Sequence, residues 1–213
     1  MARSRGNFDG EFESVGPAVT EALLYPEYVR ESWAYPTGPL AIDERHNLRL
    51  WLNYGRPLGD AVRADISVFQ QVTSGAPQSR DAPIVVTGFL PNPGYLTPPV
   101  IGTYYFGARG GDKTETVAST DLSLNLSAPL LNQKLRVFVR LILGNIFNQA
   151  VVTRPDDTVL TAVLDPSLAL FNPFTQTPIE GVHYRLGPSY GQALSADAWQ
   201  RPRRFAVHAG FRF

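Results

Sequence analysis

The sequence predicts an all-β fold, an antiparallel meander of about six strands. Six stretches alternate apolar with polar residues, which is the period of two that a pleated strand produces. The connections between these stretches alternate between long and short along the chain. The last stretch, residues 203–213, has one apolar face and one face with cationic groups, and it closes on an aromatic residue. These observations together indicate a sheet with two chemically different faces.

Composition limits the function classes. The length of 213 residues predicts a single segment. The 19 Lys and Arg residues balance 19 Asp and Glu residues, so the excess of basic residues that favours nucleic-acid binding is not present. The absence of cysteine excludes a disulfide framework, a thiolate metal site and a cysteine nucleophile. No run reaches the ~18 apolar residues of a membrane-spanning helix. Residues 1–7 are not followed by the apolar core that a secretory signal needs.

The first half of the chain predicts three strands. Residues 3–14 alternate throughout, and a long segment rich in proline and aromatic residues follows at 15–45. Residues 46–57 and 61–74 alternate again. Proline and two glycines in the intervening residues 55–60 favour a chain reversal. We therefore expect the second and third strands to form a tight hairpin.

The second half predicts three more strands. Residues 75–116 contain too many prolines for a central strand and form a second long segment. Residues 117–129 and 134–143 alternate, and a short turn at 130–133 joins them. A third long segment then runs to the final strand. Short turns that alternate with long loops are typical of outer-membrane barrels.

The two predicted faces differ in charge. One carries mostly Leu, Val, Ile, Ala and Phe, and the other repeatedly carries ionised groups. A soluble sandwich gives the same alternation, because its outward face is solvated. The rhythm of the connections and the aromatic terminus favour a partial wall of a transmembrane β-barrel, which alone would be an open curved sheet. The residues then predicted to face the lumen are Arg49, Arg63, Asp65, Asp121, Arg136, Arg140, Arg204, His208 and Arg212.

Several motifs, in order, resemble the last six strands of TonB-dependent receptors, and most closely the Oar-like group with a carboxypeptidase-regulatory-like N-terminal domain. The matching stretches are Asp43-Glu-Arg-His-Asn-Leu-Arg-Leu-Trp51, Ile66-Ser-Val-Phe-Gln-Gln-Val-Thr-Ser-Gly75, Thr120-Asp-Leu-Ser-Leu-Asn-Leu126, Gly144-Asn-Ile-Phe-Asn148, Gly187-Pro-Ser-Tyr-Gly191, Gln200-Arg-Pro-Arg-Arg-Phe205 and the terminal Phe213. The resemblance covers nearly the whole chain.

This resemblance implies a part of an outer-membrane transporter in a Gram-negative bacterium. In that family a barrel of about 22 strands encloses a plug domain, and TonB drives substrate uptake. The sequence lacks the plug, the TonB-contacting segment and most strands, so we expect a C-terminal fragment that is not active alone. The implied partners are outer-membrane lipid, the remaining strands and plug, TonB only through that plug, and the barrel-assembly machinery, whose signal Phe211 and Phe213 resemble.

No motif predicts an enzyme, a cofactor or a metal site. The stretch from Gly187 to Gly191 spells the nucleophile elbow of serine hydrolases, but Pro188 precedes the serine and no periodic helix follows. The three histidines have no metal-ligand spacing. Loop tyrosines and tryptophan either stack on a ligand or pack the loops and the membrane interface, and packing is favoured. The alternative function is a soluble β-rich module that binds a ligand through these aromatic loops.

Overall fold

The computed structural model describes residues 38–130 and 135–213, together with the backbone of the short strand Arg5–Gly6. The predicted strand at residues 3–14 therefore lies outside the described residues, apart from Arg5–Gly6, which pairs with Gly38–Pro39. The predicted turn at 130–133 is likewise described only at Leu130.

The described strands follow one another in chain order. They are β1 (Arg5–Gly6), β2 (Gly38–Pro39), β3 (Asn47–Leu58), β4 (Val62–Thr73), β5 (Pro77–Gln78), β6 (Asp81–Val85), β7 (Ile101–Tyr105), β8 (Asp112–Lys113), β9 (Val117–Leu130), β10 (Leu135–Gly144), β11 (Val159–Thr161), β12 (Tyr184–Leu186) and β13 (Arg204–Arg212). A short 3-10 turn, Ala196–Ala198, precedes the last strand. Among the described residues, none belongs to a helix with the length and apolarity to cross a membrane.

Five long strands form one antiparallel sheet in the order β13-β10-β9-β4-β3. The predicted all-β, antiparallel meander is confirmed, and the long strands begin and end within about two residues of the predicted bounds. The sheet is open, because β3 and β13 each lack a neighbour on one side within the described residues. Both short connections, β3 to β4 and β9 to β10, lie at one end of the sheet, and the long ones lie at the other.

The first hairpin turn is shorter than predicted. Strand β3 continues to Leu58, so most of the predicted turn at 55–60 belongs to the strand, and the reversal occurs around Gly59. Gly59 has a φ of 68°, in the left-handed region that glycine tolerates. Pro57 fits within β3 because that strand is the edge of the sheet, where a missing N–H leaves no central ladder bond unmade.

The long segments fold into small antiparallel pairs. In the segment after β4, β5 pairs with β8 and β6 pairs with β7, and in the segment before β13, β11 pairs with β12. Pro77 and Pro83 lie in these two-stranded pairs rather than in a central strand, as the proline content predicted. The hydroxyl of Thr161 donates to the carbonyl of Pro83 at 2.6 Å and joins the two segments. We call this assembly of β5 to β8, β11 and β12 the loop layer.

The buried hydrophobic cluster lies in the loop layer and not in the long sheet. Ile84, Val86, Tyr104 and Phe171 are each no more than 6% exposed and pack together. The ring of Phe171 meets that of Tyr104 edge to face, with 5.2 Å between the centroids. The layer is therefore a packed unit that holds its own shape above one end of the sheet.

We predict that Phe171→Ala destabilises the loop layer by about 3 kcal/mol, because it leaves a cavity among buried aromatic rings. Hydrogen exchange of the Val86 amide, which donates to the carbonyl of Val100 at 3.0 Å, measures the effect. Leu96→Ala is the matched control, since Leu96 is fully exposed. Equal protection in the two variants would contradict a core at this place.

Candidate functional site

The strand register separates the sheet into two faces. Residues that lie directly opposite each other in an antiparallel pair have side chains on the same face. One row across all five strands consists of Tyr54, Ile66, Leu124, Leu141 and Val207. The rows on either side of it that share this face are also dominated by apolar residues. We call this side the apolar face.

The apolar face is large and exposed. Its apolar members are Leu48, Leu50, Leu52, Tyr54, Leu58, Val62, Ala64, Ile66, Val68, Val72, Ala118, Leu122, Leu124, Leu126, Ala128, Leu130, Leu135, Val137, Val139, Leu141, Leu143, Phe205, Val207, Ala209 and Phe211. Leu52 is 63% exposed on one edge strand, and Phe205 is 71% exposed on the other. On the inner strands, Ile66 is still 43% exposed and Leu141 is 40% exposed. The polar exceptions are Arg56 and the hydrogen-bonded pair of Thr120 and Gln70.

The opposite side, which we call the polar face, carries the ionised groups. The register places all nine residues that were predicted to face a lumen on this one side. One row across it consists of Gly55, Asp65, Asn125, Arg140 and His208. That this side borders a lumen stays a prediction.

Charges on the polar face are unevenly matched. The guanidinium of Arg63 donates to the carboxylate of Asp65 at 2.8 Å, and the amide of Asn125 donates to the other carboxylate oxygen at 3.3 Å. On the neighbouring strands, Arg136 lies directly opposite Arg212. The guanidinium of Arg212 sits 5.1 Å from the ring centroid of Phe138, which shares its face. Among the described residues, no carboxylate pairs with the arginines of β10 and β13, so that side of the polar face is cationic.

An asparagine clamp holds the last long segment against the sheet. Asn145 adopts a φ of 49°, and its backbone N–H donates to the carboxylate of Asp121 at 2.8 Å. Its side-chain amide donates to the carbonyls of Gln149 and Arg201, at 2.8 and 3.0 Å. Asn148 accepts from the N–H of Arg203 at 3.0 Å. Asp121, a predicted lumen residue, thus anchors Asn145, and the Asn145 side chain ties the start of the loop to its end.

In the sequence, this stretch is one of the motifs that resemble TonB-dependent receptors, and no such clamp is predicted from it. The signal was present in the pair of asparagines in Gly144-Asn-Ile-Phe-Asn148, because asparagine tolerates the left-handed region better than most residues and bonds to nearby backbone. The partner carbonyls lie far along the chain, so the clamp itself was not visible from sequence.

A polar clasp joins the two long segments. The guanidinium of Arg80 donates to both carboxylate oxygens of Asp112, at 2.7 and 3.2 Å, and the hydroxyl of Tyr190 donates to the same carboxylate at 3.0 Å. The Arg80 hydrogen bonds hold the pKa of Asp112 below its usual value, although burial acts in the opposite direction. Burial and then the hydrogen bond to Asp112 raise the pKa of Tyr190.

The loop aromatics are engaged in packing. Tyr104 and Tyr105 are buried, the ring of Tyr184 lies 4.2 Å from that of Phe106, and Tyr190 belongs to the clasp. Tyr95 packs against the buried cluster. Four further loop aromatics, Tyr25, Tyr28, Trp33 and Tyr35, lie outside the described residues. A shallow depression beside Phe171 has room for about one water molecule. It is too small to hold a substrate.

The hydrolase-like motif lies in the loop layer. Ser189 is in a turn after β12, and the next helical residues are the 3-10 turn Ala196–Ala198, so no α-helix follows the serine directly. The nearby His183 accepts the N–H of Ile179 at its Nδ1, at 2.9 Å, and packs on Phe171. Within residues 38–130 and 135–213, no three acidic or histidine side chains converge as metal ligands.

The two aromatic residues of the predicted assembly signal are both accessible. Phe211 lies on the apolar face and is 64% exposed, and Phe213 is fully exposed just beyond β13. Their recognition by the barrel-assembly machinery stays a prediction.

Comparisons with models of protein families, with curated proteins and with solved structures each find no match to this chain. The features that bear on its function are therefore the two faces of the sheet and the sequence pattern.

We predict that the clasp holds between about pH 4 and pH 10. A lowered folded pKa for Asp112 contributes stability that is present above the ordinary pKa and is lost as the pH falls through the folded one. A raised pKa for Tyr190 contributes stability that is lost as the pH rises through the folded value. In a ¹³C NMR titration, the Asp112 carboxyl should have a lower midpoint in the unmodified chain than in Arg80→Gln. Identical midpoints would show that Arg80 does not hold this carboxylate.

Proposed function

We propose that this chain is a wall segment of an outer-membrane barrel of the TonB-dependent receptor kind, which takes up a substrate still to be identified. The observation that carries the proposal is a five-stranded sheet with one exposed apolar face and one charged face. This combination fits a wall between hydrocarbon and an aqueous or polypeptide-filled interior.

The apolar face supports contact with lipid. Soluble monomers rarely expose a contiguous apolar patch larger than about 600 Å², whereas this face extends over all five long strands. The strands have 12, 12, 14, 10 and 9 residues. A tilted strand needs roughly 9–11 residues to cross a bilayer. Both the chemistry and the length of the sheet therefore suit a membrane.

The open edges imply partner strands. Unpaired backbone groups of β3 and β13 in hydrocarbon would each cost several kcal/mol, and the smallest outer-membrane barrels have about eight strands. The proposed wall therefore closes with further strands of the same receptor, around a plug domain that carries the contact with TonB. On this proposal the chain is not active by itself.

The arrangement of connections supports an orientation. Outer-membrane barrels have short turns on the periplasmic side and long loops outside. The two short connections lie at the same end of the sheet, and the loop layer lies at the other. In the proposed wall, the loop layer faces the cell exterior, and Phe211 and Phe213 approach the periplasmic side, where they serve in barrel assembly.

A soluble ligand-binding module is the second candidate. The observation that favours it is the packed core of the loop layer, which includes Val86, Tyr104 and Phe171 and does not depend on the long sheet for burial. This reading leaves the apolar face exposed to water, and for that reason we place it second.

Detergent dependence tests the proposal against this alternative. The purified chain should be monodisperse in dodecyl maltoside and should aggregate when the detergent is removed, because the apolar face then meets water. Size-exclusion chromatography with light scattering measures both states. A monodisperse monomer in plain buffer would overturn the membrane assignment and favour the soluble module.

A matched pair of neighbouring substitutions tests the assignment of the faces. Leu124 and Asn125 are adjacent in the central strand β9 but belong to opposite faces. In dodecyl maltoside, Leu124→Arg should lower the free energy of unfolding by about 2–4 kcal/mol, because it puts a charge against hydrocarbon. Asn125→Arg should lower it by only about 1 kcal/mol, from the lost hydrogen bond to Asp65 and from the facing Arg140.

Urea unfolding, followed by the loss of strand circular dichroism, measures both variants. An equal effect of the two substitutions would show that the faces do not meet different surroundings.

A further inference from the structure

Strands β10 and β13 carry a concentrated positive charge on the polar face. Together they contain four arginines and no aspartate or glutamate, although acidic and basic residues balance in the whole chain. The register places the four arginines and His208 on the same side. We call Arg136, Arg140, Arg204, His208 and Arg212 the cationic ladder.

The ladder sets like charges against each other, because Arg136 is directly opposite Arg212. In the same pair of strands, Arg140 is directly opposite His208. Like charges in such positions destabilise an antiparallel pair, whereas opposite charges stabilise it. If this face made contacts only within the sheet, an acidic residue at one position of such a pair would stabilise the fold.

The acidic groups of the polar face have other partners. Asp65 binds Arg63 and Asn125, and Asp121 accepts from Asn145 and Ser119. Asp65 also attracts Arg136, but no described carboxylate lies within 4 Å of a ladder residue. Within the described chain, the Nε of Arg140 is buried without a hydrogen-bond partner. The guanidinium groups of the ladder thus have no carboxylate partner among the described residues.

The spacing of the ladder indicates an extended partner. Arg204, His208 and Arg212 follow each other at intervals of four residues along β13. Four residues of strand span about 13 Å, which is farther than one phosphate or sulfate group reaches. Only a longer molecule with several anionic groups would satisfy successive steps at once.

We propose that the cationic ladder binds an acidic polypeptide segment in an extended conformation, with about one carboxylate for every four residues. Each guanidinium then pairs with a carboxylate, and a carboxylate between Arg136 and Arg212 turns a repulsive pair into a bridged one. The inference rests on the proposed function, which places the polar face toward the barrel interior. It adds the chemistry of the molecule that lies against this face.

A synthetic peptide tests the inference. The probe is a sixteen-residue peptide of four Glu-Thr-Ser-Thr repeats, compared with the same peptide in which glutamine replaces glutamate. Fluorescence anisotropy with the chain in dodecyl maltoside should detect binding of the glutamate peptide only. Its affinity should fall as salt rises, because the contacts are ionic.

Substitutions locate the contact. The double variant Arg140→Gln and Arg212→Gln should weaken binding of the glutamate peptide by about tenfold, from the loss of two accessible ion pairs. Arg56→Gln is the control, because it removes a positive charge from the other face of the sheet. It should leave the affinity unchanged. Circular dichroism checks that each variant keeps its strands.

Three results would overturn the inference. They are equal binding of the glutamate and glutamine peptides, an equal effect of Arg56→Gln and the double variant, and displacement of the peptide by an equimolar amount of inorganic phosphate, which would indicate a small-anion site. If the double variant loses its strands, the comparison of the two peptides on the unmodified chain decides. If the peptide does not bind but the chain still requires detergent, only the proposal for the cationic ladder is rejected. If the peptide binds but the chain is monodisperse without detergent, only the membrane proposal is rejected.

Discussion

The pairing register of the five long strands is the constraint on which the other features depend. Because side chains alternate at every residue, a shift of one position on β4 or β9 would turn Ile66 or Leu124 to the side of Asp65 and Asn125. The observed register instead keeps most apolar side chains on one side, and Trp51, Phe69, Phe138 and Ile142 are the large exceptions on the polar face. It also brings Arg136 and Arg140 beside Arg212 and His208, so one backbone arrangement produces both the apolar face and the cationic ladder.

The long sheet buries little of its own apolar surface. An apolar face with Leu52 and Phe205 more than 60% exposed gains little free energy in water, and within the described residues β3 and β13 have no neighbouring strand on their outer edges. Three surfaces of the sheet would each take a different partner in the proposed wall. Hydrocarbon would cover the apolar face, further strands would pair with the edges, and an acidic segment would bind the cationic ladder.

The loop layer follows a different principle, since it buries its own residues. Val86, Tyr104 and Phe171 form its core, the Arg80 and Asp112 ion pair with Tyr190 joins its two segments, and the Asn145 clamp fixes its last segment to the sheet. Such a layer presents a defined surface at one end of the sheet rather than a set of independent loops.

The sequence by itself determined the five described long strands, their bounds to within a few residues and the face on which each side chain lies, because a period of two is a local property of the backbone. The turn predicted at 55–60 was too long, because proline and glycine favour a reversal locally. Pro57 is accepted in β3 because that strand is an edge of the sheet, which the local sequence does not show. Only the tertiary structure decided where the core lies and which loop residues meet. Tyr190 reaches Asp112 across 78 residues, and Asn145 reaches Arg201 across 56, and no periodic pattern encodes contacts between irregular segments so far apart.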